Sequence, residues 1–530
     1  MMPSPAFLTN TTTPDGFLLV LAIVLPVIGI LLLFALGGRY VERIVLLLVP
    51  AGAGVAAAVF ATVWRSGRPL VYIVGDWEPP LGIALRADGL SAAMMITVAV
   101  VVGATALFAR EEFGQPRQQS EARAPLVFWI LLLAIWGALN IIVVGDDLFN
   151  LYVALELLTF AAVPLVCLKG SEETIKAALR YMLFALFGSV LYLLGTVLIY
   201  GAYGTLDIAL LAGRVRPEPV AWIAAAVMTM GLLAKTALFP FHLWLPPAHA
   251  GAPAPGSAVL SALVVKGSFF LIARLWFDAM PGVMNFAATQ MLATLGAGAI
   301  LFGSVLALRQ QRLKLLIAYS TIAQVGYLFF IFPLAAGAAA GNPWSGFGWT
   351  GGWMQLFSHA FAKAAMFMAA GLIAETLGHD RIAEFGGIAR ILPVTTFTFG
   401  IAGLSLMGVP PSGGFVAKWL LLQATVMEDQ WWWAAVMLVG GLLAGGYVFM
   451  VLGKALSTTD APPKTHGSVA RSRELVALAL ALCAFSLGLV PLRPSEFLQI
   501  GRPATPAVAP RMKSVPLLTM QSNPLRGRGL

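Results

Sequence analysis

Long runs of apolar residues, separated by short polar loops, fill most of this 530-residue chain. A helix needs about 20 apolar residues to cross a bilayer, so each run of that length predicts one membrane-spanning helix. The sequence contains fourteen such runs, near residues 17–36, 43–63, 89–109, 124–144, 148–168, 178–200, 219–245, 255–278, 287–308, 314–336, 350–377, 393–427, 431–453 and 472–491. This pattern predicts an all-α polytopic membrane protein.

Two of the runs contain residues that interrupt helices. The seventh run breaks at Pro240, and the twelfth breaks at GVPPSGG, which contains Pro410, Pro411, Gly413 and Gly414. Irregular backbone at membrane depth is tolerated only where protein or a water-filled cavity surrounds it. We therefore expect helices 7 and 12 to be discontinuous. The longest loop, from about 65 to 88, is expected to form a small hairpin or a short helix.

The composition supports this fold class and excludes several functions. Hydrophobic residues make up 59% of the chain and charged residues 11%, with a mean hydropathy of +0.87, whereas soluble proteins average about 25% charged residues. The net charge of +9 does not indicate nucleic-acid binding, because the basic residues lie in short loops. The two cysteines lack CxxC and CxxCH spacing, and no GxGxxG motif follows a strand. We expect no cofactor, no metal site and no redox or hydrolytic residue of the chain's own.

Lysine and arginine counts predict the orientation. Odd-numbered loops contain seventeen basic residues, and even-numbered loops with their adjoining helix ends contain six. Because cytoplasmic loops carry the excess of basic residues, we expect the odd-numbered loops to be cytoplasmic and both termini to face outward. Six further basic residues in the C-terminal segment run against this trend.

Ionisable residues inside the apolar runs are the candidates for chemistry. Four basic residues lie within runs: Lys235, Lys266, Lys363 and Lys418. Glu156 is the one clear mid-run acid, and His359 lies four residues before Lys363, on the same helix face. A charge at the bilayer centre costs roughly 3 kcal/mol on insertion scales and marks a functional site by default. A buried structural polar group is the alternative for any one of these residues.

A buried glutamate–lysine pair can act as a protonation switch. Burial favours the neutral form of both groups, and proximity favours the charged form of both. Separating the pair therefore favours release of the lysine proton, and bringing it together does the reverse. A row of lysines with an intervening histidine can pass protons through water.

The motifs resemble a known family. The segment LLAKTALFPFHLWLPPAHAGAPAPGSAVLSALVVKGSFFLIAR resembles the signature of the antiporter-like proton-translocating subunits. These are the large membrane-arm subunits of respiratory complex I and the A and D subunits of Mrp-type Na+/H+ antiporters. LYVALELLTF around Glu156 and the segments 312–330, 358–373 and 406–424 extend the resemblance over nearly all of residues 85–455.

The resemblance implies fourteen helices, with helices 4–8 and 9–13 forming inverted five-helix repeats. Broken helices in both halves favour such repeats, although Lys235 precedes its break and Lys418 follows its own. The corresponding division is 1–123 for helices 1–3, 124–278 and 287–453 for the repeats, 472–491 for helix 14 and 492–530 for an extended C-terminal tail.

The resemblance also implies roles for the intramembrane residues. Glu156 and Lys235 match the switch pair, and Lys266 matches the connecting lysine of helix 8. His359 and Lys363 match the relay of helix 11, and Lys418 matches the ionisable residue of broken helix 12. His242 and His249, in the Pro-rich loop, are candidates for admitting protons, and capping or packing of that loop is an equally good interpretation.

We therefore expect a proton-translocating subunit of a multisubunit membrane complex, first of all a D-like subunit of a monovalent cation (Na+)/H+ antiporter. The alternatives are an antiporter-like subunit of an NADH-quinone oxidoreductase (complex I) or of a membrane-bound hydrogenase and, less favoured, an inorganic-carbon uptake subunit. The expected partners are other integral membrane subunits, transported H+ and Na+, and membrane lipid. The expected location is the bacterial inner membrane, with both termini periplasmic.

Overall fold

The computed structural model describes residues 11–36, 40–114, 123–335, 345–458, 465–489 and 493–502. Its helices and strands are, in chain order, α1 Phe17–Leu36, α2 Val41–Ser66, β1 Leu70–Ile73, β2 Ala84–Ala87, α3 Gly89–Phe113, α4 Arg123–Val144, α5 Leu148–Val166, α6 Glu172–Tyr203, α7 Ile208–Arg214, α8 Pro219–Thr236, α9 Leu245–Gly251, α10 Ala254–Val259, α11 Val265–Arg274, α12 Phe286–Leu308, α13 Leu313–Leu328, α14 Ile331–Ala335, α15 Ser345–Leu377, α16 Ile388–Ile391, α17 Pro393–Met407, α18 Gly413–Met427, α19 Trp431–Leu456, α20 Arg471–Ser486 and α21 Pro494–Phe497.

The predicted all-α polytopic membrane fold is confirmed. Within the described residues, 12 helical segments are long and apolar enough to cross a membrane. The predicted seventh span consists of α8 and α9, and the twelfth consists of the shorter apolar helices α17 and α18. The fourteenth is the 16-residue helix α20, which packs against α15 and α17. The division into two inverted repeats stays a prediction.

The longest loop forms the expected hairpin. Strands β1 and β2 pair antiparallel, with Leu70 opposite Ala87 and Ile73 opposite Ala84. Residues on both faces of the hairpin are buried, among them Leu70 and Val71, and the strands contact the first four helices.

Glycine pairs bring neighbouring helices into backbone contact. A Cβ at Gly188 of α6 would lie 2.5 Å from the Gly231 carbonyl oxygen of α8, and one at Gly231 would lie 2.3 Å from that of Gly188. Small residues at such crossings let membrane helices approach closely. A Cβ at Gly188 would also lie 3.2 Å from Cγ of Lys235, so this crossing leaves room for the Lys235 side chain.

Arg274, at the end of α11, is the centre of a buried ion cluster. Its guanidinium contacts Asp88 at 2.6 Å and Asp278 at 2.8 Å. Burial by itself would raise the pKa of Asp88, but the charge and hydrogen bonds of Arg274 outweigh it, and the pKa of Asp88 is lowered. The cluster ties the start of the third span to the end of the eighth.

The first part of the C-terminal tail is folded, whereas an extended chain is expected from 492. Phe497 of α21 packs its ring 4.3 Å from that of Phe60, and the Trp349 indole donates to the Leu498 carbonyl at 3.0 Å. Arg502 lies 3.1 Å above the Trp349 ring. These aromatic and cation–π contacts hold residues 493–502 against the helices. Residues 503–530 lie outside the described part of the chain.

Replacing Arg274 with methionine tests the ion cluster. Arg274→Met leaves Asp88 and Asp278 without their shared partner, and breaking a buried pair costs about 3–5 kcal/mol. We expect a matching fall in the free energy of unfolding of the detergent-purified protein. Arg216→Met, at an exposed arginine, is the control and should leave stability unchanged. Equal stability of the two variants would contradict a stabilising role for the cluster.

Candidate functional site

Glu156 and Lys235 form an ion pair between α5 and α8. Lys235 Nζ lies 3.4 Å from Glu156 Oε1 and donates to Thr159 Oγ1 at 2.8 Å. The Ser189 hydroxyl of α6 donates to the same Glu156 oxygen. The Lys235 side chain is 5% exposed and that of Glu156 15% exposed. The carboxylate therefore lies at the edge of the packed interior, and the ammonium lies within it.

The break in the seventh span begins before its proline. Helix α8 ends at Thr236, and Ala237 takes the left-handed conformation at φ 56°. A 3-10 turn over Phe241–Trp244 then leads into α9. The Ala234 carbonyl at the end of α8 accepts hydrogen bonds from the Trp244 indole at 2.9 Å and the Ala237 amide at 3.3 Å. Lys235 thus lies in the last turn of α8, where the helix dipole favours a cation.

Lys266 lies at an irregular turn of the eighth span. Residues Leu260–Val264 form a π-helical turn between α10 and α11, and the fully buried Lys266 ammonium donates to the Ser261 carbonyl in that turn. A π turn interrupts the regular hydrogen-bond ladder and often marks a functional position. The Ser261 hydroxyl lies 2.9 Å from that of Thr321 in α13, which links the eighth and tenth spans.

A small cavity separates Lys235 from the eighth span. Its volume is about 10 Å³, close to the space that one water requires. Lys235, Thr159 and Ser268 of α11 are among the residues that line it. The polar lining suits a single bridging water.

His359 and Lys363 share one face of α15, four residues apart. Lys363 Nζ donates to the Ile317 carbonyl at 3.1 Å and to the Ser320 hydroxyl, both in α13. His359 is 1% exposed, and neither of its ring nitrogens hydrogen-bonds to a described residue. The charges of Lys266, Lys363 and Lys418 all act on His359, which therefore lies among the three lysines.

Lys418 bridges the break in the twelfth span. Its ammonium donates to the carbonyls of Leu406 at 2.6 Å and Met407 at 3.3 Å, at the end of α17. It also lies 4.4 Å from the centre of the Tyr327 ring. A cation on helix-terminal carbonyls satisfies groups without helical partners and matches the helix dipole. Lys418 thus connects the two halves of the broken span.

The sequence places Gly413 and Gly414 in this break, but they form the first turn of α18. The break itself covers 408–412, with Pro410 and Pro411, and Ser412 caps α18 by accepting a hydrogen bond from the Phe415 amide. A Cβ at Gly414 would lie 1.9 Å from the Ser405 carbonyl oxygen. Gly414 therefore serves close packing of the two half-helices.

The two loop histidines have different surroundings. His242 lies between Phe239 and Phe302, with ring centres at 5.7 and 5.1 Å. His249 stacks on Phe367 at 4.5 Å, is 0% exposed, and has neither ring nitrogen bonded to a described residue. The charges of Lys266 and Lys363 act on His249 as well. His249, and not His242, therefore adjoins the central lysines.

Comparison with known proteins identifies the family. The sequence profile of the NADH:quinone oxidoreductase/Mrp antiporter transmembrane family matches residues 145–444. The chain belongs to this family. The matched region contains Glu156, the four intramembrane lysines and His359.

Named relatives include subunits of an oxidoreductase and of an antiporter. The chain is 35% identical to the N-type subunit of NADH-quinone oxidoreductase from Desulforudis audaxviator, over 76% of this chain and 78% of the relative. It is 29% identical to the D-type subunit of the Na(+)/H(+) antiporter from Alkalihalophilus pseudofirmus, over 72% of this chain and 74% of the relative. A chain in the Mrp complex structure from Dietzia sp. shares the fold, with a TM-score of 0.81 and 23% identity. The match covers 92% of this chain and 97% of the Mrp chain.

The structure adds polar partners that sequence patterns do not single out in this family member. Thr159 and Ser189 complete the Glu156–Lys235 pair.

Lys314 counts as a loop residue in the sequence because Arg309 and Arg312 precede it closely. In the structure it lies in the first turn of α13 and is 9% exposed. The sequence feature that places Lys314 at the start of a span is the apolar segment LLIAY directly after it.

Gly414→Ala tests the close packing at the twelfth-span break. The new methyl group must displace the Ser405 backbone, and overpacking of this kind costs about 1–3 kcal/mol. We expect a lower thermal unfolding temperature in detergent. Gly453→Ala in α19, where an added Cβ meets no atom within 4 Å, is the matched control. Wild-type stability of Gly414→Ala would show that the half-helices have room to separate.

Proposed function

We propose that the chain is the proton-translocating subunit of a multisubunit membrane complex. Protons would move along an axis formed by Glu156, Lys235, Lys266, the His359/Lys363 pair and Lys418. The observation that carries this proposal is the ion pair between Lys235 and Glu156, buried beside a broken helix and followed by three further buried lysines. An inert scaffold would gain stability from apolar residues at these positions.

The Glu156–Lys235 pair acts as the switch. While the ammonium contacts the carboxylate, both charges are stabilised. When the pair separates, Lys235 is left in apolar surroundings and releases its proton toward Ser268 and the eighth span, across the water-sized cavity. Lys266 accepts it once it has passed its own proton on and is a neutral amine, and His359 and Lys363 carry protons from Lys266 to Lys418. Each lysine returns to its charged form when the next proton arrives.

Two points of the axis communicate with the two membrane faces. His249 lies fully buried beside the central lysines. We assign His249 to proton uptake from the face with the basic loops, which is the cytoplasmic face of a bacterial inner membrane. Both termini then lie on the periplasmic side, and Lys418 exchanges protons at the far end of the axis.

Two assemblies are candidates, and the driving module in each is another chain. The first is a monovalent cation (Na+)/H+ antiporter, with this chain as its D-like subunit, exchanging cytoplasmic Na+ for external H+. The higher identity to an N-type subunit, 35% against 29%, favours a second candidate, the antiporter-like subunit of an NADH-quinone oxidoreductase. Integral membrane subunits are the partners in both, and lipid surrounds the complex.

Purification of the tagged chain from its native membrane distinguishes the two. Co-purified flavin and iron–sulfur subunits identify the oxidoreductase, and proton transport then follows NADH oxidation. Small integral subunits alone identify the antiporter, and proton movement in everted vesicles then depends on added Na+. Purification of the chain without any partner would contradict both.

Lys235→Ala tests the switch. Without the ammonium, Glu156 loses its ion-pair partner and the axis loses the group that releases the proton. Proton-coupled transport in everted vesicles should therefore fall at least about 100-fold. Lys176→Ala is the control, because Lys176 is exposed and pairs only with its helical neighbour Glu172 among the described residues. Unchanged transport by Lys235→Ala, at normal expression, would remove the switch from the mechanism.

A further inference from the structure

Lys314 is a buried lysine that the proposed axis does not use. It lies in the first turn of α13, and its ammonium donates to the Ala252 carbonyl at 3.1 Å. Ala252 follows α9 directly and lies three residues after His249. The Lys314 ammonium therefore contacts the segment that carries the His249 imidazole.

Toward the membrane face with the basic loops, Lys314 adjoins a group of charged residues. Its backbone amide donates to the Asp380 carboxylate at 3.4 Å, and Arg312 pairs with that carboxylate at 2.8 Å. The charges of Lys169 and Glu112 also act on Lys314. Glu112, at the end of α3, faces Arg473 at 3.8 Å, and Arg473 contacts Glu375 at 2.6 Å. The two glutamate side chains are 32% and 44% exposed, so water reaches this acidic pair.

Toward the interior, Lys314 adjoins His249. Helix α13, which carries Lys314, packs against α9, which carries His249. The charges of Lys314, Lys266 and Lys363 act on this histidine. His249 is fully buried, and both of its ring nitrogens lack a hydrogen-bond partner among the described residues. An imidazole nitrogen that is not engaged in a hydrogen bond can accept a proton and pass it on.

We propose that Lys314 is a relay residue that carries protons from Glu112, at the basic face, to His249 and so to Lys363 or Lys266. This inference rests on the proposed function of the axis. The Lys314 ammonium gives a proton to neutral His249 and becomes a neutral amine. The imidazolium passes that proton to a neutral Lys363 or Lys266, and the Lys314 amine takes a proton from the Glu112 carboxyl group.

The competing role is structural, because Lys314 also satisfies the Ala252 carbonyl at the end of α9. A lysine-to-arginine exchange separates the two roles. Arginine keeps the charge and the donors that hold the carbonyl, but its guanidinium does not release a proton in proteins. A structural role therefore tolerates Lys314→Arg, and a relay role does not.

The experiment compares Lys314→Arg, Lys176→Arg and Lys235→Ala in the complete complex, in everted native membranes, with the amount of assembled complex measured for each. We expect Lys314→Arg to lower the initial rate of proton transport at least about tenfold and Lys176→Arg to leave it unchanged. Normal transport by Lys314→Arg, with transport lost in Lys235→Ala, overturns the relay and leaves the proposed axis intact. Normal transport by both contradicts the axis itself.

Glu112→Gln provides the second variant, because arginine at a buried position can reduce assembly. It removes the proton donor to Lys314 without touching the Ala252 carbonyl. We expect the transport rate to fall severalfold, and most strongly at high pH on the basic face, where protons are scarce. A rate and pH profile equal to wild type for Glu112→Gln would overturn the proposal, whatever the assembly of Lys314→Arg.

Discussion

The structure depends on how buried ammonium groups are stabilised without counter-charges. Among the four intramembrane lysines, only Lys235 has a carboxylate partner in the described residues. Lys266, Lys363 and Lys418 donate to backbone carbonyls. Each buried charge costs roughly 3 kcal/mol on insertion scales, and carbonyl dipoles offset part of that cost. A carbonyl cannot take the proton, so these lysines stay free to exchange protons with their neighbours.

Helix irregularities supply the carbonyls that hold Lys266 and Lys418. The π turn of the eighth span presents the Ser261 carbonyl to Lys266, and the end of α17 presents two carbonyls to Lys418. In the seventh span, the break puts Lys235 in the last turn of α8. Each of these three lysines is thus matched to a local departure from regular helix, and the surrounding protein allows such departures at membrane depth. Close helix crossings at glycines keep these segments packed.

The sequence predicts those features that stand out from their apolar surroundings, namely charged residues and prolines within the apolar runs. Charges inside apolar runs identify Glu156, Lys266 and Lys418, and prolines identify the broken helices. Thr159 and Ser189 escape notice because hydroxyl groups are common in membrane helices and their partners are distant in sequence. Lys314 is assigned to the loop in the sequence because other basic residues directly precede it. The folding of residues 493–502 depends on contacts with Phe60 and Trp349, far away in the chain, which local composition does not encode.

The central claim is that the buried groups form one continuous path. Its most direct test is the rate of proton transport by the reconstituted complex carrying Glu156→Gln, Lys418→Met or both substitutions. Since groups that act in series are not additive, each single substitution should abolish transport, and the double variant should be no slower than either. Partial transport in both single variants, with losses that add in the double variant, would contradict a single path and indicate two independent routes.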